Sequence, residues 1–66
     1  MGSGELMKAL QAAGWTLVRA KGSHHHFKKP GHRNIITVPH PRRDLPPGLL
    51  RDCIRKAAPD LDHLTT

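Results

Sequence analysis

Tyrosine is absent from this chain, and tryptophan, phenylalanine and cysteine each occur once. With so few large rings the core must be thin, and little material is left for a deep substrate pocket. Any active site is therefore expected to be shallow and open. Cys53 stands alone, which excludes an internal disulfide and a cysteine-based zinc site and fits a reducing compartment. Acidic residues are also scarce. Five Asp and Glu face eleven Lys and Arg, leaving a formal charge of +6 and a pI near 10.5. Such an excess on a small body favours a polyanion or an acidic protein partner. No apolar run approaches the roughly 18 residues that a membrane span needs, and no signal-peptide pattern opens the chain. The expectation is a soluble, cytoplasmic protein without a membrane partner. Its 66 residues allow one domain, and a domain of this size buries only about 60% of the surface its unfolded chain exposes.

Apolar periodicity gives the outline. Leu6, Met7, Leu10 and Ala13 recur at helical spacing, with Ser3 as a candidate cap, Glu5 in the first turn and Gly14 as a left-handed stop. This predicts a helix over about residues 3–13. Residues 15–21, 24–29 and 34–38 read as three strands, separated by Gly22-Ser23 and by Pro30-Gly31 and closed by Pro39. Short connections make an antiparallel meander the economical arrangement. Residues 40–48 hold three prolines and cannot be regular. A second apolar stripe at Leu49, Leu50, Cys53, Ile54 and Ala57 then predicts a closing helix, with Pro46 or Pro47 at its start. Residues 1–59 form the predicted domain, and 60–66 the expected loose tail. The predicted class is α+β, helix–three strands–helix. Both helices carry a single apolar stripe, so both are expected on one face of the sheet, leaving the other free to meet a ligand.

The densest chemistry lies in the predicted second strand, where Gly22-Ser23 is followed by His24-His25-His26-Phe27-Lys28-Lys29. Alternation along a strand separates these side chains. Phe27 is the obvious core residue and His25 shares its side, so His24, His26 and Lys28 are expected on the uncovered face. A histidine able to exchange a proton near neutral pH, set among cations that attract phosphate, suits work on RNA. A metal site built from His24, His26 and His32 or His40 lacks a carboxylate or thiolate to complete it. Asp44 is remote in sequence, and Cys53 belongs to an apolar stripe.

Gly14-Trp15, Arg19, Gly22-Ser23-His24, Phe27, Pro30, Val38-Pro39-His40, Gly48, Leu50-Arg51 and Ile54 together, in this order, resemble the HicA toxins over residues 3–58. The resemblance implies a double-stranded-RNA-binding-domain-like fold and an endoribonuclease (an mRNA interferase) that needs no metal or other cofactor. It also implies a HicB-type antitoxin as partner, which covers the active face and carries the DNA-binding segment, so that DNA is met only indirectly. The family's catalytic histidine follows Gly-Ser, a role that falls on His24. Two departures, Gly48-Leu49 for the usual Gly-Thr and Ala58-Pro59 for the usual Ala-Gly, sit in scaffold.

In the implied mechanism His24 removes the proton of a ribose 2′-hydroxyl, and Lys28, Lys29 and Arg19 stabilise the phosphorane. His26 and His40 are the two candidates for an acid at the leaving group. The plainer use of His26 is as an RNA contact, and that of His25 is packing. The rival function is a non-catalytic RNA-binding module of the same fold, holding duplex by shape and backbone contacts.

Overall fold

The computed structural model describes residues 1–65. It runs α1 (Ser3–Ala12), β1 (Thr16–Lys21), β2 (His24–Lys28), β3 (Ile36–Pro39), α2 (Pro47–Lys56) and a closing 3₁₀ turn (Asp62–Thr65). The strands form one antiparallel meander in the order β1-β2-β3. Phe27, Ile36 and Val38 are fully buried on one side of the sheet. On that side α1 packs on β1 and β3, and α2 on β3. This is the α+β arrangement expected from the two apolar stripes.

Leu6 and Leu10 are the buried ridge of α1, and the helix ends at Gly14 with φ +97°. The cap differs from expectation. Gly2 occupies the N-cap position, and its N–H donates to Glu5 Oε1 at 3.3 Å. Ser3, one residue further in, uses its hydroxyl across the molecule instead. It accepts the Arg42 N–H at 2.9 Å and lies 2.7 Å from His40 Nδ1. The Ser3 N–H donates to the Arg42 carbonyl at 2.9 Å as well. A Cβ on Gly2 would stand 2.7 Å from the Arg43 carbonyl oxygen, so the chain start can lie this close to the proline-rich connector only without a side chain there. These contacts fix the backbone of Arg42.

Strand three begins at Ile36, two residues later than the alternation suggests. Asn34 leaves the ladder because its side-chain amide donates to the Lys56 carbonyl at 3.0 Å. Burial of Ile36 and Val38 fixes the strand's orientation, which its own sequence leaves open, and turns Ile35 and Thr37 to the bare side. At the start of α2, Pro46 is the N-cap and Pro47 the first helical residue, where a missing N–H is harmless. Cys53, Ile54 and Ala57 are buried on its inner stripe, and burial pushes the Cys53 thiol pKa up.

The residues after Pro59 are not a loose tail through Thr65. Leu61 is fully buried, and Asp60 accepts hydrogen bonds from Trp15 Nε1 at 3.0 Å and Lys29 Nζ at 2.8 Å. His32 Nε2 stands 3.5 Å from the same carboxylate and its ring 4.8 Å from the Trp15 ring. Thr66, the last residue of the expected tail, lies outside the described residues. The Lys29 hydrogen bond, followed by that of Trp15, holds the Asp60 carboxyl below its ordinary value of 3.8. A group with a lowered folded pKa stabilises the fold fully above its unfolded value, and loses that contribution as pH falls through the folded one. The melting-temperature difference between wild type and Asp60→Asn should therefore be constant above the ordinary aspartate range and shrink below it. A thermal-melt series from pH 7 to pH 2 measures this.

Candidate active site

The site grows from one hairpin. Gly22, with φ +57°, occupies the first central position of a two-residue turn and is followed by Ser23. A glycine there is what a turn matching strand twist requires. The turn is secured at its far side, where the His40 N–H donates to the Ser23 carbonyl at 2.7 Å. Closing the hairpin with two residues places Lys21 directly opposite His24. Arg19 stands opposite His26, and Thr16 opposite Lys28. The register shifts between Leu17 and Arg19, leaving Val18 as an unpaired bulge residue.

Side chains directly opposed on an antiparallel pair share a face, with Cβ atoms about 4.5–5.5 Å apart. The bare face thus carries Arg19 and Lys21 from β1, His24, His26 and Lys28 from β2, and Thr37 and Pro39 from β3. His24 is exposed. His26 is half-buried, its Nδ1 2.9 Å from Thr37 Oγ1. The His24 and His26 ring centroids are 6.5 Å apart. His25 points to the opposite side, where its ring meets that of His40 edge-on at 5.2 Å.

Two expected members are therefore elsewhere. His40 packs with His25 on the helix side and bonds Ser3, so it does not share the face of His24. Lys29 lies one residue beyond β2 and is committed to Asp60. Gly22 and Ser23 serve as the turn, while Arg19, His26 and Lys28 fall where expected. Lys21 is the cation that sequence reasoning missed, although the two-residue turn already fixes it opposite His24.

A groove of about 370 Å³ leads away from His24 around the outer edge of β3. Thr37 and Pro39 line it on the sheet side, and Arg42, Asp52 and Lys56 on the other. Lys56 Nζ bonds Asp52 at 3.0 Å, and Arg55 bonds the same carboxylate. These two cations, Lys56 first, hold the Asp52 carboxyl below its ordinary value. The groove wall stays cationic, with Arg42 held in place through its Ser3-bound backbone. Val18 and Ile35 are exposed apolar side chains near the two margins of the face. An open, positively charged surface with one exposed imidazole, a half-buried second one beside it and a few apolar footholds is suited to a flexible polyanion.

The family model of the HicA toxin of bacterial toxin–antitoxin systems matches residues 3–58. Among solved structures, a chain of a HicA3 and HicB3 toxin–antitoxin complex is 47% identical, with a TM-score of 0.67. That match covers 83% of this chain and 89% of the other. Among curated proteins there is no match. A family match over nearly the whole chain, and a solved relative 47% identical over 83% of it, establish that the chain belongs to the HicA toxin family.

Proposed function

We propose that this chain is the toxin of a type II toxin–antitoxin pair and acts as a metal-independent endoribonuclease on messenger RNA, arresting translation and growth. The observation that carries the reading is the exposure of His24 on the bare sheet face, opposite Lys21 and beside His26. An imidazole in that position takes the proton from a ribose 2′-hydroxyl. The freed oxygen attacks the adjacent phosphorus, and the bond from phosphorus to the 5′-oxygen breaks. Charge that develops on the non-bridging oxygens is met by Lys21, Arg19 and Lys28. Every group used is a side chain of this face.

The cationic groove gives the RNA strand a path from His24 to Arg42 and Lys56. Phosphate contacts of this kind set affinity rather than sequence choice and weaken with salt. The same surface is the natural target of an antitoxin. A HicB-type partner that covers it blocks His24 directly, and any contact with DNA is made by that partner. Among the described residues no helix is long and apolar enough to cross a membrane.

Mapping the ends of the cleaved RNA tests the reaction. The expected products carry a 2′,3′-cyclic phosphate (or its hydrolysis product) and a 5′-hydroxyl, and the rate is unchanged by a chelator. A 2′-deoxy substitution at the cleaved nucleotide should leave the strand intact. Fragments with 5′-phosphates, or an absolute need for a divalent ion, overturn the mechanism. RNA binding with no cleavage would instead support the non-catalytic module.

A further inference from the structure

Resting on this reading, we infer that His26 is the acid that protonates the leaving 5′-oxygen, and that Thr37 is the residue that positions it. Breaking the bond from phosphorus to the 5′-oxygen expels an alkoxide, a poor leaving group unless it receives a proton as it departs. A second group on the same face must supply it. The hydrogen-bonded ring nitrogen needed is about 2.6–3.2 Å from the oxygen it serves. Two imidazoles whose centroids are 6.5 Å apart can flank one phosphate, each reaching a different oxygen.

His26 is the histidine that meets the requirement. It is in the same strand as His24, two residues on, so its side chain is on the same face. His25 and His40 are on the far side of the sheet, and His32 is bound up with Trp15 and Asp60. The hydrogen bond between His26 Nδ1 and Thr37 Oγ1 at 2.9 Å defines the ring's orientation. With Nδ1–H donating to the hydroxyl, Nε2 is left to carry the mobile proton toward the bare face. Thr37 is opposite His26 in the β2–β3 register, so the pairing that builds the sheet also aims the ring. In the full step the 2′-hydroxyl proton goes to His24 and the 2′-oxygen bonds phosphorus. The 5′-oxygen leaves with its electron pair and takes the Nε2 proton of His26. The charged and titratable groups facing His26 are Arg19 on β1 and His24 and Lys28 on its own strand, while β3 contributes the uncharged Thr37.

The test is a leaving-group comparison. One RNA oligonucleotide carries the normal 5′-oxygen at the mapped cleavage site, and its twin carries sulfur there, which departs as a thiolate without protonation. His26→Ala is expected to slow the oxygen substrate by about 10²-fold or more, yet remain within about threefold of wild type on the sulfur one. His26→Gln should behave alike, guarding against a folding defect in the alanine variant. Thr37→Val should lower kcat with KM unchanged on the oxygen substrate, and be rescued by sulfur. His24→Ala should be slow on both. If the His26 variants slow both substrates equally, or neither, the assignment of the acid is overturned while the role of His24 stands. A wild-type chain that cleaves neither substrate overturns the endoribonuclease reading, and the acid with it.

Discussion

Replacing His24 with glutamine should abolish RNA cleavage and relieve growth arrest while leaving the protein folded. Loss of a positioned general base costs about 10²–10⁴ in rate, or roughly 3–5 kcal/mol of transition-state stabilisation. The same substitution removes nothing from the core, because His24 is exposed and its strand neighbours Phe27, Ile36 and Val38 supply the burial. Exposed substitutions of this kind usually change stability by less than about 0.5 kcal/mol. Melting temperature should therefore be nearly unchanged. The pair of measurements, cleavage rate and thermal melt, separates a chemical loss from a structural one. A His24→Gln variant that still cuts RNA would mean that another group takes the 2′-hydroxyl proton.

The opposite signature is expected at Phe27. Its ring is fully buried in the core cluster that includes Leu6, Leu10, Ile36 and Ile54, in a chain with one other large aromatic side chain, Trp15. Truncating a buried Phe to Ala costs about 3–5 kcal/mol. Native domains are stable by roughly 0.05–0.15 kcal/mol per residue, which gives a chain of this length about 3–10 kcal/mol in total. Phe27→Ala thus consumes between about a third and all of that margin and should lower the melting temperature by roughly 12–40 °C. Phe27→Leu, which keeps most of the volume, should retain a cooperative melt at reduced temperature. A Phe27→Ala variant melting within a few degrees of wild type would contradict this account of the core.

The fold was legible because its signals are local. Leu6 and Leu10 at helical spacing, Gly14, the Gly22-Ser23 turn and the Pro46-Pro47 pair each act over a few residues, and each appears where the pattern puts it. The face of His24 followed from the parity of Phe27 alone. What escaped depends on contacts between distant parts of the chain. Ser3 has the composition of a cap, but its hydroxyl is claimed by Arg42 and His40 across the molecule. Lys29 continues a basic run that looks like one surface, yet one step past β2 it turns to Asp60. The part played by Thr37 requires the β2–β3 register, which the longer connection does not fix. Arg42 and Lys56 join the site only once α2 is seen along the edge of β3. Asp60 is ordered by its bonds to Trp15 and Lys29, and Leu61, four residues past Ala57, continues the apolar stripe beyond the point where Pro59 was expected to end it.

The alternation of β2 has a consequence for any rewriting of this hairpin. Three identical letters in a row make the hairpin look tolerant of sliding, since a shift by one would still present an imidazole, that of His25, on the bare face. The chain cannot use that tolerance, for the same slip would swing Phe27 into solvent and a charged lysine into the core. What holds His24 in phase is thus a residue on the opposite side of the sheet, Phe27. An insertion or deletion of one residue within β2, between His24 and Phe27, should therefore be ruinous, because it sets the two on the same side of the sheet.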